Sequence, residues 1–335
     1  MARRGRQISP IVIALAVFLA ADRAAPATVE ELARTEGKLV FYSTLNTEQI
    51  TTFNNAFNKK YPHIEATFYR ASGDRVLQRI ISEAQAGRYS VDAFSIEGLR
   101  IQLLKEKGLT VRFVPNESHA FGGGFKDPEG HWTNLHLLMN SMAYNTKLVS
   151  AHEAPKRYED LLQPKWRGKI GVNSRDGEWY VNLQKRMGRD KARDLLKGLA
   201  GQKPGIHDSH NLLTQIVSAG EYHVASNIYA HAAAREKERG APVQWIFDEP
   251  VITYLHPIAL AKHAPHPNAG KLFIEFVLSK EGQTILRDMG RIPSRPDVEV
   301  KVFDLKKIKL FPSDPRLGTD YEAALKEMRA IFEGG

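Results

Sequence analysis

The chain has 335 residues, 42% of them hydrophobic, which is enough for two lobes of ordinary size with their own cores. It contains no cysteine, which excludes disulfides, thiolate metal sites, cysteine nucleophiles and a lipid-modified cysteine. The formal net charge is +9. No tract of Lys and Arg is interleaved with aromatic residues, so the sequence does not indicate a nucleic-acid-binding protein.

Residues 1–27 have the pattern of a secretory signal peptide. Arg3, Arg4 and Arg6 precede an apolar run from Ile11 to Ala21, and Ala25-Pro26-Ala27 fits a cleavage site with small residues. This apolar run is too short to span a bilayer. We therefore expect an exported protein, and the absence of cysteine favours the bacterial periplasm. Export by the Sec or by the twin-arginine route stays open.

Apolar strand-like runs then alternate with amphipathic helical patterns, which predicts an α/β protein with parallel sheets covered on both faces. Two longer apolar runs are predicted to cross between two lobes, with a ligand cleft between them. These runs are Leu135–Tyr144 and Val251–Leu260. The predicted strands are 37–43, 64–69, 91–95, 170–173, 223–229 and 243–247. The predicted helices are 47–60, 74–86, 97–107, one around 179–187, 190–200, 208–219, 230–240, a pair in 268–289, and one ending near 332.

Four turns follow a predicted strand and precede a predicted helix: 43–44, 70–73, 174–177 and 227–231. Helix starts of this kind present unpaired backbone N–H groups and a positive dipole end, and they bind phosphate, phosphonate or carboxylate groups. The alternative is that the hydroxyl groups there are ordinary helix caps. The predicted ligand-binding residues are Ser43, Thr44, Asn46, Arg70, Ser72, Gly73, Ser174, Arg175 and Tyr229.

Tyr229 lies where the strand 223–229 joins a helix. Its side chain can bind Fe³⁺ as a phenolate, donate its hydroxyl to an anion, stack on a ring, or pack without a ligand. His207 and His210 have a helical spacing, but the sequence places no third metal ligand beside them. No Gly-x-Ser-x-Gly, His-Glu-x-x-His or dinucleotide glycine motif is present. We therefore expect a protein that is not an enzyme, with an exported hydrolase as a distant alternative.

Short segments distributed along the chain carry a family resemblance. They include Leu39–Ser43, Ser72-Gly73-Asp74, Pro164–Ile170, Leu278–Gln283 and Ile292–Arg295. In this order the segments resemble the solute-binding proteins of bacterial ABC importers, in the branch that includes the periplasmic ferric-binding proteins. The resemblance covers Gly37 to Arg295.

The family implies two α/β lobes joined by a hinge, closure around a small-molecule ligand, and delivery to an ABC permease in the inner membrane. It implies no cofactor, and we expect a monomer that does not bind nucleic acid. The predicted lobes are 28–138 with 255–294, and 139–254 with 295–335.

The sequence differs from ferric-binding relatives in the residues that would bind the ligand. Those relatives use two consecutive tyrosines. Here the pair is Ile228-Tyr229, so only Tyr229 carries over. Arg70, Arg175 and the hydroxyl-rich turns favour a small anionic solute bearing phosphate, phosphonate or carboxylate. Ferric ion held by Tyr229 with a synergistic anion is the alternative. Glu97 and Asp176 are the residues that would favour a cationic ligand.

Overall fold

The computed structural model describes residues 27–300 and 302–334. The predicted export signal lies outside these residues except for Ala27. Within them, no helix is both long and apolar enough to cross a lipid bilayer.

Eleven strands are present in the described residues: β1 (Lys38–Ser43), β2 (Glu65–Arg70), β3 (Ala93–Ser95), β4 (Thr133–Asn145), β5 (Ile170–Asn173), β6 (Gly205–His207), β7 (Val224–Tyr229), β8 (Val243–Ile246), β9 (Val251–Leu260), β10 (Ile292–Pro293) and β11 (Leu310–Pro312).

The same residues contain eleven α-helices: α1 (Val29–Glu36), α2 (Thr47–Lys60), α3 (Gly73–Gln85), α4 (Gly98–Glu106), α5 (Gly177–Met187), α6 (Arg189–Gly201), α7 (His210–Ala219), α8 (Ala230–Glu238), α9 (Pro267–Leu278), α10 (Lys280–Asp288) and α11 (Gly318–Glu333). Short 3₁₀ turns lie at Asn116–Ala120, Tyr158–Leu162, Pro164–Trp166 and Pro315–Leu317.

The strands follow the order β2-β1-β3-β9-β4-β7-β5-β6. At one end β1 pairs in parallel with β2 and β3, and at the other end β5 pairs in parallel with β6 and β7. Helices connect the parallel strands, as crossover connections require. The predicted α/β fold class is confirmed.

The long strands β4 and β9 join the two halves of the molecule. Residues Thr133 to Met139 of β4 pair with β9, whereas Asn140 to Asn145 pair with β7 and β8. The end of β9 pairs with β3, and its beginning pairs with β11. Both strands are buried along their whole length, although polar residues such as His136, Asn140 and His256 interrupt their mainly apolar sequences. The exact lobe boundaries proposed from the sequence stay a prediction.

Each half has its own aromatic core. In the first half, Phe273 of α9 packs on Phe41 of β1 and Phe57 of α2, with ring centroids 4.9 and 5.2 Å apart. In the second half, Trp179 of α5 is fully buried and meets Tyr158 at 5.4 Å. These two groups of aromatic residues belong to different clusters of buried residues.

Four elements were not predicted from the sequence: helix α1 and the short strands β6, β10 and β11. Helix α1 was not predicted, although Thr28 and Glu31 form a complete capping box at its start. The three-residue strand β6 was not predicted either, because its residues carry no period-two pattern and it lies at the edge of the sheet.

Candidate functional site

The β5–α5 and β7–α8 turns are held side by side by two asparagines. Asn173 at the end of β5 donates its backbone N–H to Oδ1 of Asn227 at 2.9 Å, and Nδ2 of Asn227 donates to the Asn173 carbonyl at 3.0 Å. The Asn173 side chain then accepts the backbone N–H of Arg175 at 3.0 Å. Because both asparagines are buried, these bonds fix where Arg175 and Tyr229 emerge from the sheet.

Tyr229 is the last residue of β7 and caps α8 without a side-chain capping bond. Its ring packs on His210, with centroids 4.0 Å apart, and stacks on His231 at 5.6 Å. In the described part of the chain the Tyr229 hydroxyl has no hydrogen-bond partner. Burial, followed by the carboxylates of Asp176 and Glu178, raises the pKa of Tyr229 well above its usual value. The free protein therefore keeps Tyr229 as a neutral phenol.

A cavity of about 470 Å³ opens beside Tyr229 and is lined by both halves of the molecule. Helices α3 and α4 contribute one wall, while α5, α7, β9 and the start of α11 contribute the others. Its charged lining residues are Asp74, Glu97, Arg100, Glu106, Arg175, Asp176, Glu178, Arg316 and Glu322.

Asp176 is the most firmly held carboxylate of this cavity. Its Oδ1 accepts the backbone N–H of Trp179 at 3.0 Å, which caps α5. Its Oδ2 accepts the Tyr254 hydroxyl at 2.7 Å and Nδ2 of Asn140 at 3.3 Å, and Nε2 of His210 lies 3.5 Å away. The residue is only 6% exposed, so it is a fixed negative charge in the cavity wall.

The opposite wall carries an arginine shared by two acids. Arg100 donates from Nε and Nη2 to Oδ1 of Asp74 at 2.9 and 2.8 Å, and its Nη1 lies 3.4 Å from Oε2 of Glu97. Gly73 allows this arrangement, because a Cβ at that position would lie 2.0 Å from Oε2 of Glu97. The positive charge of Arg100 is thus already neutralised.

Glu178 and Arg175 also determine the charge of the cavity lining. Burial, followed by the neighbouring carboxylates of Asp176 and Glu97, raises the pKa of Glu178 to about 8, so this side chain is protonated at neutral pH. The Arg175 side chain is 56% exposed, and its Nε lies 3.9 Å from Oδ2 of Asp208. Arg175 is therefore a cation with only a weak partner in the described residues.

The predicted site residues differ in which cavity they line. Arg175 and Tyr229 line the cavity just described, and Gly73 contacts Glu97 in its wall. Asn46 caps α2 and lines a second cavity, also of about 470 Å³. Arg70 is exposed at the end of the edge strand β2.

The predicted hydroxyl residues line neither cavity. Ser43 is buried and accepts the backbone N–H of Leu45 at 3.2 Å. Thr44 is partly buried. Ser72 is exposed at the start of α3, and its side chain makes no capping bond there. Ser174 is buried next to β6. The assignment of these serines and of the threonine to the ligand site stays a prediction.

The sequence reasoning missed several lining residues of the cavity, among them Glu178, Tyr254 and Tyr321. Tyr254 lies in the run predicted to cross between the lobes, so its position offered a signal. Glu178 and Tyr321 offered none, because helix α11 returns from the end of the chain to pack on α5. His207 and His210 are not joined by a third ligand, and the described residues contain no group of three His, Asp or Glu residues placed to hold a metal.

The chain is similar to a protein family and to several individual proteins. The profile of the family described as "Bacterial extracellular solute-binding protein" matches residues 95–313. The major ferric iron-binding protein of Neisseria meningitidis serogroup A is 31% identical over 53% of this chain and 56% of that protein. A putative 2-aminoethylphosphonate-binding periplasmic protein of Salmonella typhimurium is 29% identical over 47% of this chain and 50% of that protein. The match thus spans about half the length of each of these two relatives.

The fold is also found among solved structures. The iron-bound HitA protein of Pseudomonas aeruginosa superposes with a TM-score of 0.76 at 20% identity, over 88% of this chain and 99% of that one. This similarity covers both halves, and it confirms the predicted two-lobe α/β fold with a cleft between the lobes.

Proposed function

The chain belongs to the bacterial extracellular solute-binding proteins, and we propose that it captures a small anion-bearing solute in the cavity beside Tyr229 and delivers it to an ABC permease. The proposed solute carries a phosphate, phosphonate or carboxylate group together with a cationic amine. The proposal includes a periplasmic location and no chemistry on the solute. The observation that carries it is that Arg175 and Asp176, consecutive residues of opposite charge, line one cavity.

Arg175 supports the anionic half of the proposed solute. Its guanidinium is largely exposed and has only the 3.9 Å contact to Asp208. It can therefore turn to an incoming oxyanion without breaking a strong ion pair. The neutral Tyr229 hydroxyl and the protonated Glu178 carboxyl add hydrogen-bond donors to the same cavity.

Asp176 and Glu97 support the cationic amine of the proposed solute. Asp176 is fixed by its bonds to Tyr254, Asn140 and the start of α5. Glu97 shares Arg100 with Asp74, so two carboxylates face one guanidinium and a negative charge remains on that wall. A purely anionic solute would leave these charges unmatched, whereas an amine would pair with them. The relative from Salmonella named as a putative 2-aminoethylphosphonate-binding protein fits the same class of zwitterion.

The test is calorimetric titration of the purified protein with 2-aminoethylphosphonate, with ethylphosphonate, which lacks the amine, and with ethanolamine, which lacks the phosphonate. We expect the complete zwitterion to bind more tightly than either fragment. Arg175→Gln should weaken its binding by about 1.5–3 kcal/mol, the value of a hydrogen bond to a charged group. Arg157→Gln, an exposed arginine that lines neither cavity, is the matched control.

An unchanged affinity in Arg175→Gln, with a folded variant, rejects the role of that residue. If ethylphosphonate binds as well as the zwitterion, the proposed amine is wrong and a simple anion replaces it. If all three compounds leave the protein unbound, the phosphonate-bearing solute is rejected.

Ferric ion is the second candidate, and one observation favours it: Tyr229 shares its cavity with the carboxylates of Glu97 and Asp176. Phenolate and carboxylate oxygens are hard ligands that suit Fe³⁺. The Neisseria relative is named as a ferric iron-binding protein. Against this candidate, Tyr254 is hydrogen-bonded to Asp176, and the described residues contain no group of three His, Asp or Glu residues placed to hold a metal. We therefore rank it second.

A further inference from the structure

Strands β4 and β9 carry a pair of histidines that line neither of the two cavities. His136 of β4 and His256 of β9 lie directly opposite each other in the antiparallel ladder. Their rings stack, with centroids 4.4 Å apart and planes 19° from parallel. Both residues are buried, and Nδ1 of each ring has no hydrogen-bond partner in the described residues. The side-chain contact between the two strands at this point is therefore the stacking of two rings.

The pair lies where the ladder between β4 and β9 is irregular. The register of the two strands shifts between Asn134 and His136. The side-chain Nδ2 of Asn134 donates to the His136 carbonyl at 3.0 Å and to Oγ of Ser294 at 2.7 Å, and Pro293 of β10 pairs with His136. A shift in register locally disrupts the backbone bonds of a ladder, so side-chain contacts matter more there. Because β4 and β9 join the two halves of the molecule, a change at this point alters the connection between them.

The surroundings of His136 are positively charged. Arg291, which precedes β10, and His231 of α8 lie near its ring. The guanidinium of Arg291 is partly buried and donates from Nε and Nη2 to Oε1 of Gln49, at 3.3 and 3.0 Å. Arg291 forms no ion pair within residues 27–300 and 302–334, so its charge is not neutralised by a neighbouring carboxylate there.

The surroundings of His256 offer one acid, which is already shared. Glu97 and Arg100 of α4 lie near this ring, together with Arg291. Oε2 of Glu97 is 3.4 Å from Nη1 of Arg100. A proton on either histidine would therefore add a cation to a buried region that holds two arginines and one carboxylate.

Burial keeps both rings neutral at pH 7. It lowers the pKa of His256 to about 4 and that of His136 well below its usual value, and the positive charge of Arg291 acts in the same direction on both. The folded-state pKa of His256 thus lies below the unfolded value of 6.5. The stability contributed by the neutral ring is complete above pH 6.5 and is lost as the pH falls to about 4.

We propose that His136 and His256 form an acid-sensitive switch in the strands that join the two halves. While both rings are neutral, their stacking holds β4 against β9. A proton on either ring separates the pair and loosens the ladder around it. The switch acts in the free protein, so it does not depend on the solute proposed above.

The first experiment is urea unfolding of the wild-type protein, His136→Phe and His256→Phe at pH 7.5 and pH 5. Phenylalanine keeps an aromatic ring for stacking and cannot be protonated. Acidification should raise the unfolding equilibrium constant of the wild type about 30-fold more than that of His256→Phe, the effect of one histidine with these two pKa values. His152→Phe, a change at an exposed histidine, should keep the pH dependence of the wild type.

Hydrogen exchange of the folded protein tests the switch itself. Between pH 7 and pH 5, the protection factors of the backbone amides in residues 134–138 and 254–258 should fall about tenfold relative to those of β1. The same ratio should stay constant in His136→Phe and His256→Phe. Circular dichroism checks folding, and one folded variant is enough for the comparison.

Two results would overturn the inference. One is an identical pH dependence of unfolding in the wild type and in the folded phenylalanine variants. The other is protection that falls in β1 as much as in β4 and β9, because acid would then act on the whole fold and not on the joining strands. Both experiments are made without solute, so either result leaves the proposed function to its own test.

Discussion

Glu178→Gln tests the electrostatics of the cavity beside Tyr229. Glu178 lies in the first turn of α5, near the carboxylates of Asp176 and Glu97, and its pKa is raised from 4.5 to about 8, mainly by burial. Because the folded-state pKa is above the unfolded one, the stability that protonated Glu178 contributes is complete below pH 4.5. It is lost as the pH rises to about 8.

The size of the effect follows from the pKa change. Each pH unit of this interval is worth about 1.4 kcal/mol, so the whole interval bounds the loss at about 5 kcal/mol. Solvent in the cavity screens the neighbouring charges, so we expect on the order of 2–4 kcal/mol. Glutamine has the shape of the protonated acid and cannot ionise. Glu178→Gln should therefore match the wild-type protein near pH 5 and exceed its stability near pH 8.

The assay is urea unfolding followed by tryptophan fluorescence at several pH values from 5 to 9. The difference in the free energy of unfolding between the variant and the wild type isolates Glu178 from other titrating groups. Glu322→Gln, an exposed acid that lines the same cavity, is the control and should change stability by less than about 0.5 kcal/mol at every pH. A difference between Glu178→Gln and wild type that stays constant from pH 5 to 8 would refute the reasoning.

Two further predictions concern packing and iron. A Cβ at Gly282 would lie 2.2 Å from the Phe276 carbonyl oxygen and 2.6 Å from Cα of Val277, so Gly282→Ala should lower the free energy of unfolding by at least about 2 kcal/mol. Gly201→Ala, at the end of α6 with nothing within 4 Å of the added Cβ, should be neutral or stabilising in the same urea unfolding experiment. The protein mixed with ferric citrate should show no tyrosinate absorption band at neutral pH, because the described residues contain no group of three His, Asp or Glu residues placed to hold a metal beside Tyr229. A band that disappears in Tyr229→Phe would instead support ferric binding over the proposed zwitterion.

The order of strands and helices was predictable from the sequence because it depends on local patterns. Mainly apolar runs predicted β4 and β9 as crossing strands, and the helical spacing of apolar residues predicted α2 and α3. The position of Tyr229 at the end of a strand also followed from local sequence. The family resemblance drawn from short segments agrees with the family match over residues 95–313.

The cavities were not predictable in the same way, because their walls come from distant parts of the chain. The first cavity combines Glu97 of the α4 start, Asp176 and Glu178 of the α5 region, Tyr254 of β9 and Tyr321 of α11. The sequence indicated that Glu97 and Asp176 were candidates for a cationic ligand, but it could not indicate that they share a cavity with Arg175.

The charge state of the site also depended on tertiary structure. A glutamate in the first turn of a helix is ordinary by sequence, and only its burial beside two other carboxylates raises the pKa of Glu178. Likewise the sequence does not distinguish Arg291 from the other arginines. Only the fold shows that it lies near Arg235 and has no acidic partner in the described residues. Periodicity and turn chemistry act over a few residues and determined the elements. Burial and electrostatic interaction act through space between residues distant in sequence. The cavity walls and the charges of Glu178 and Arg291 were therefore decided only by the packing of the two lobes.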